Sequence, residues 1–86
     1  MIVQYIAAAL AAARFEEIDD EEPWYGEIPG LQGVWATGLT EEECRARLAE
    51  ALDGWLIVRL RRGLAIPPID GVRLEPAERM NAEVSG

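Results

Sequence analysis

A single stretch in the middle of the chain narrows the choice of folds sharply: YGEIPGLQGVWATGLTEEE, residues 25–43. It joins two short β-prone runs through a turn rich in proline and glycine, and a helix start follows at once. Pro29 cannot donate to a sheet ladder, so it ends the first run. Thr40 and Glu43 stand at the spacing of a capping box. The stretch therefore predicts a strand, a turn, a second strand and a helix in direct succession.

The helix that follows this stretch has the clearest periodicity in the sequence. Apolar side chains recur along it at helical spacing: Cys44, Leu48, Leu52 and Trp55. Glutamates near its start and arginines near its end suit the helix dipole, and Gly63 is a suitable left-handed stop. The pattern predicts a helix over residues 40–62.

The remaining elements are predicted from local composition. An alanine-rich run without glycine or proline predicts a short helix over residues 3–12. Runs with strand-like alternation predict strands at about residues 24–28 and 33–38. A weaker candidate lies at about residues 14–19, where Phe15 and Ile18 do not share a face, and a charged loop that ends in proline joins it to the second strand. Gly26, inside the second strand, is expected to let another group approach the sheet closely.

Together these elements predict an α+β fold. It has a short N-terminal helix, a three-stranded antiparallel sheet and one long helix packed on the sheet. A single domain is expected over residues 1–74, with a short extra edge strand near residues 72–74. Residues 75–86 carry little apolar content and are expected to form a flexible tail.

The charge balance restricts the partners that such a small chain would bind. Its 86 residues carry 16 acids and 8 bases, all of the bases arginine, for a net charge of −8. Nucleic-acid binders usually carry basic patches, so direct nucleic-acid binding is not expected. An acidic surface suits a basic partner, although solubility alone would also account for it.

The side-chain inventory excludes several kinds of chemistry. The chain has no histidine, its one cysteine is Cys44 and its one serine is Ser85. A Ser–His or Cys–His nucleophile pair is therefore excluded, and we expect no enzyme activity, no cofactor and no metal site. A lone cysteine favours a reducing, cytoplasmic compartment. The apolar N-terminal run is shorter than the about 20 residues that cross a bilayer, so no membrane association is expected.

A cluster of acids and aromatics forms the candidate partner-binding surface. Seven acids and no base lie between residues 16 and 27. The predicted surface comprises Glu16, Glu17, Asp19, Asp20, Glu21, Glu22, Trp24, Tyr25, Glu27 and Trp35. Two alternatives stay open: the acids form a solvated loop and protect a sheet edge, and Trp35 packs on cross-strand neighbours instead of a partner.

The last third of the long helix, WLIVRL, is apolar around most of its circumference. One face would fill the core of the domain, and the remainder would need a second cover. We expect that cover to be another copy of the chain, in a dimer or a tetramer. The predicted oligomer interface consists of Trp55, Leu56, Ile57, Val58 and Leu60.

The run WYGEIPGLQGVWATGLTEEECRARLAEALDGWL resembles the HicB antitoxin family of type II toxin–antitoxin pairs. The resemblance covers about residues 14–71 and includes the downstream segment GLAIPPIDG. Each piece is degenerate, but the order and spacing of the pieces are fairly specific. The positions that match the family pattern are Tyr25, Pro29, Leu31, Gly33, Gly38, Thr40, Glu42, Glu50, Ala51 and Leu52.

This resemblance implies a β-β-β-α core, a partial RNase H-like fold, and a protein partner. The partner would be HicA-like, a small basic toxin that cleaves RNA, and HicB-type domains inhibit by covering it. Many members add a C-terminal DNA-binding segment, for which no room is expected beyond residue 74. The helix over residues 3–12 also precedes the family's usual first strand.

Two other functions compete with an antitoxin role. The chain could be an orphan structural oligomer or small-ligand module with no toxin partner. It could also be a metal-dependent nuclease, because the implied topology is RNase H-like. Two-metal chemistry needs converging carboxylates, which a loop cluster rarely provides, so the nuclease ranks last.

Overall fold

The computed structural model describes residues 2–69, 71 and 72, and it has the predicted α+β architecture. All five elements occur in the predicted order: α1 (Ile2–Ala11), β1 (Arg14–Glu17), β2 (Trp24–Glu27), β3 (Trp35–Gly38) and α2 (Glu41–Arg62). β1 ends two residues before the predicted limit. The Ile18 N–H still bonds the Pro23 carbonyl, at 2.7 Å, but Pro23 has no N–H with which to continue the ladder. Neither helix among the described residues is long and apolar enough to cross a membrane.

The three strands form one antiparallel sheet in the order β1-β2-β3. The register aligns Phe15 with Gly26 and Gly26 with Ala36. These three residues lie on the face that α2 covers. A Cβ built on Gly26 would lie 2.6 Å from the Phe15 ring and 3.1 Å from the Cys44 sulfur, which confirms the close approach expected at this glycine.

The start of α2 is capped by side chains, as its sequence predicts. The Thr40 hydroxyl oxygen accepts a hydrogen bond from the Glu43 N–H at 3.0 Å. The Glu43 carboxylate reaches back one residue further than in a standard capping box and accepts from the Leu39 N–H at 2.7 Å. At the other end Gly63 has φ +66°, and the Leu64 N–H bonds the Arg59 carbonyl. Both helix ends therefore satisfy exposed backbone groups locally.

The core lies between the sheet, α1 and the inner side of α2. The buried positions of α2 are Cys44, Leu48, Leu52 and Leu56. Tyr5 of α1 is buried among them, and its hydroxyl donates to the Pro67 carbonyl. This bond holds the segment after α2 against α1, so the two ends of the described chain pack together.

The segment after α2 ends, within the described residues, in a tight turn closed by a β-bridge. Ile69 and Val72 form an isolated antiparallel bridge with a hydrogen bond in each direction. This bridge closes a tight turn. The predicted strand at residues 72–74 falls mostly outside the described residues, which end at residue 72. The predicted tail at residues 75–86 also lies outside them.

Candidate functional site

The side of the sheet away from α2, called the outer face below, is not covered by any element in the described part of the chain. Side-chain alternation places on it Arg14 and Glu16 of β1, Tyr25 and Glu27 of β2, and Trp35 and Thr37 of β3. Trp35 is 55% exposed, and Arg14, Glu16 and Glu27 are also exposed. The outer face is therefore an accessible surface that carries two aromatic rings, two carboxylates and the guanidinium of Arg14.

The aromatic rings of the outer face form a stacked pair. The ring centroids of Tyr25 and Trp35 lie 6.2 Å apart with 25° between the planes. The Tyr25 hydroxyl donates to Glu27 Oε1 at 3.0 Å. Burial, and then the bond to Glu27, raise the pKa of Tyr25, so the phenol remains a donor at neutral pH. Trp35 thus packs on a cross-strand neighbour and still exposes more than half of its surface.

Two clefts flank Tyr25 on this face. The first, of about 220 Å³, lies between the aromatic pair and the turn formed by residues 28–34. The second, of about 300 Å³, lies against Arg14, Phe15 and Glu16 of β1. Glu27 lines both clefts. No contact role was predicted for the turn, but its residues form a wall of the first cleft.

The structure divides the predicted partner-binding residues into three groups. Glu16, Tyr25, Glu27 and Trp35 share the outer face. Asp19, Asp20 and Glu21 are exposed on the loop between β1 and β2, where Asp20 Oδ1 accepts from the Glu21 N–H at 2.7 Å. In the strand register Glu17 lies opposite Trp24, and Trp24 lies opposite Gly38. Glu17 and Trp24 are therefore on the face of the sheet that α2 covers. Strand alternation therefore separates neighbours in sequence that had been assigned to one surface.

Glu22, the remaining acid of the predicted set, is engaged within the fold. Its Oε1 accepts from the Thr37 hydroxyl at 2.6 Å, and its Oε2 pairs with Arg47 Nη1 at 2.8 Å. Arg47 also donates to the Thr37 carbonyl at 3.1 Å. These contacts join the loop, β3 and α2. The hydrogen bond from Thr37, followed by that from Arg47, holds the pKa of Glu22 below its ordinary value of 4.5.

Glu22→Gln is expected to lower the midpoint of thermal unfolding at neutral pH. The difference in midpoint between the variant and the wild type should disappear at acidic pH. The folded-state pKa is depressed, so the stabilisation is complete above the ordinary value of 4.5 and is lost as the pH falls through the lower folded value. Thermal unfolding followed by circular dichroism from about pH 7 to about pH 2 measures the gap. Glu21→Gln, one residue earlier in the loop, is the matched control. A gap that stays constant with pH would contradict a charge-dependent role for Glu22.

The residues predicted for the oligomer interface also divide. Leu56 is only 2% exposed and belongs to the core of this chain, so it offers almost no surface to a second copy. Its spacing from Leu52 places it on the inner side of α2. Trp55 and Leu60 are half-buried, whereas Ile57 and Val58 are 46% and 50% exposed. Ile57 and Val58 are therefore the members of the set most available to another molecule.

The described residues contain no group of side chains suited to binding a metal ion. Among residues 2–69, 71 and 72, no three histidine, cysteine, aspartate or glutamate side chains are grouped so that they could hold an ion. The acids of the loop spread into solvent, and Glu22 is paired with Arg47.

Comparison with known proteins adds a family and a similar structure. A family model described as UPF0150-like matches residues 4–67, which include every strand and all of α2. The crystal structure of TTHA0281 from Thermus thermophilus is similar to this chain, with a TM-score of 0.84 and 53% sequence identity over 86% of this chain and 91% of that one. No curated protein matches the chain.

Proposed function

The chain belongs to the UPF0150-like family, and from this premise we propose that it is a protein-binding module of the HicB antitoxin type. It would neutralise a small, basic, HicA-like toxin that cleaves RNA by covering that toxin. The resemblance to HicB spans about residues 14–71, and the family match spans residues 4–67, so both rest on the same strands and helix. The module itself performs no catalysis in this proposal.

The observation that carries this proposal is the uncovered outer face of the sheet. Aromatic residues are enriched among the anchors of protein interfaces, and Tyr25 and Trp35 form a stacked pair on this face. Glu16 and Glu27 flank the pair. A partner that covers the face would bury the rings and place its own bases against the carboxylates.

The charge of the chain supports a basic partner. The net charge is −8, and the ion pairs among the described residues are those of Arg47 with Glu22 and Glu43. Asp19, Asp20 and Glu21 extend into solvent beside the sheet. Exposed charges of one sign increase the rate at which an oppositely charged protein associates, and salt reduces this effect.

We expect the adjacent reading frame to encode a small basic protein, and the proposal is tested by mixing that protein with this chain. Mixing the two chains should produce a stable complex and suppress RNA cleavage by the basic protein. The association rate should fall steeply as salt increases, because exposed charges steer the encounter. A basic protein of unrelated fold and similar charge is the control. Absence of a complex at low salt would contradict the proposal.

A structural oligomer without a toxin partner is the second candidate function. Exposed Ile57 and Val58 on the outer side of α2 favour it, because aliphatic side chains gain free energy when a second surface covers them. Light scattering at micromolar concentration measures the assembly. A dimer or tetramer that does not bind the basic protein would favour this function, and a monomer would exclude it.

A further inference from the structure

We propose that the cleft between the aromatic pair and the turn, called the Tyr25–Trp35 cleft below, receives an arginine side chain of the partner protein. This inference rests on the proposed function and specifies the chemistry of recognition at that face. It makes the turn of residues 28–34 a wall of the binding site, in addition to its role in the fold.

The walls of the cleft match the two properties of a guanidinium group. The cleft encloses about 220 Å³ and is lined by the Tyr25 and Trp35 rings on one side and the turn on the other. A guanidinium is planar and weakly hydrated, so it stacks on aromatic faces better than a compact ammonium does. Trp35 lines the cleft and is 55% exposed, so part of its surface is available to a ligand.

Glu27 supplies the negative charge that such a cation needs. Glu27 lies directly opposite Trp35 in the strand register, and Glu27 also lines the cleft. The Tyr25 hydroxyl occupies one acceptor position on Oε1. A carboxylate has about four such positions on its two oxygens, so Glu27 retains capacity for a guanidinium donor. The same hydrogen bond holds the carboxylate in place before the partner arrives.

The turn is ordered before binding. Gly30 and Gly33 adopt φ values of +90° and +89°, which other residues rarely adopt. The Leu31 N–H bonds the Ile28 carbonyl at 3.1 Å, and the Leu31 side chain is buried beneath the turn. A wall that is already fixed costs less conformational entropy when a ligand binds.

Arg14 identifies which of the two clefts accepts the cation. It lines the larger cleft, where its own positive charge opposes a second cation. It does not line the Tyr25–Trp35 cleft. Arg14 is also the residue opposite Glu27 in β1, so it is placed to compete with an incoming arginine for that carboxylate. Arg14→Gln should therefore strengthen arginine binding, an effect opposite in sign to the loss of Glu27 or Trp35.

The test is a titration of the full chain with N-acetyl-arginine amide, followed by amide and indole NMR shifts. The lysine and glutamine amides are compared at equal concentration. We expect saturable shifts at the Trp35 indole N–H, Gly30 and Gly33, larger with arginine than with lysine and absent with glutamine. Trp35→Ala should weaken binding about tenfold and Glu27→Gln about fivefold. Leu64→Ala and Glu50→Gln, at exposed positions outside the cleft, are the matched controls and should leave the affinity unchanged.

Two results would overturn the inference: shifts confined to the loop of residues 19–22, or shifts that Trp35→Ala leaves unchanged. The outcome is separable from that of the proposed function. If the chain binds the basic toxin but the cleft does not bind N-acetyl-arginine amide, the inference fails and the antitoxin role stands. If arginine amide fills the cleft but no toxin binds, the antitoxin role fails and the arginine site stands.

Discussion

Gly38→Ala is expected to destabilise the fold by about 3 kcal/mol, which is a large part of the stability of a domain this small. Gly38 is the last residue of β3, just before the chain turns into α2. A Cβ there would lie 2.6 Å from the Cys44 nitrogen and 2.9 Å from the Cys44 Cα. Both atoms are backbone, so no side chain can rotate away to make room. The strand and the helix would have to separate, and the Thr40 cap and the Cys44 packing would be disturbed together.

Urea unfolding of the variant and the wild type measures this loss. Gly54→Ala is the matched control, because Gly54 lies within α2 and a Cβ there meets nothing within 4 Å. Alanine is the better helix former, so this control should gain about 0.5–1 kcal/mol. A Gly38→Ala variant within about 1 kcal/mol of the wild type would contradict the close junction between β3 and α2.

The local signals in the sequence predicted the elements well. Thr40 and Glu43 marked the start of α2, and Gly63 marked its end, because capping depends on side chains within a few residues of each other. Pro29 ended β2 for an equally local reason, the absence of an N–H group. These signals, together with the alternation in β2, were sufficient for the α+β architecture.

The composition of the outer face depended on pairing that the sequence does not specify. Glu16 and Glu17 are adjacent, but the sheet sends them to opposite faces. In the sequence Glu22 is indistinguishable from its acidic neighbours, but in the fold Arg47 lies 2.8 Å from it. Leu56 looked like part of an all-round apolar segment, and only the packing of α2 on the sheet assigned it to the core. Contacts between distant parts of the chain decided the cases of Glu22 and Leu56, whereas strand alternation alone separates Glu16 from Glu17.

Reversing the two carboxylates of the outer face is expected to abolish binding of a basic partner. The double variant Glu16→Arg, Glu27→Arg should lower the affinity by at least about 100-fold, because like charges would meet at the centre of the interface. Both residues are exposed and neither forms an ion pair among the described residues, so the fold should survive. Circular dichroism verifies that it does.

The matched control reverses two exposed acids of α2, in the variant Glu50→Arg, Asp53→Arg. It changes the net charge by the same amount but leaves the outer face intact. Long-range attraction to a basic protein depends on total charge, so both variants should lose a similar part of the association rate. Contacts within the interface depend on position, so only the outer-face variant should also dissociate faster.

Isothermal titration of the adjacent small basic protein into the wild type and both double variants, at low and at physiological salt, tests the central claim most directly. If the outer face of the sheet is the binding surface, the wild type and the α2 variant bind with comparable affinity at physiological salt, and the outer-face variant shows no measurable binding. Equal affinities for the two variants, or a loss of binding only in the α2 variant, would contradict the assignment of the outer face.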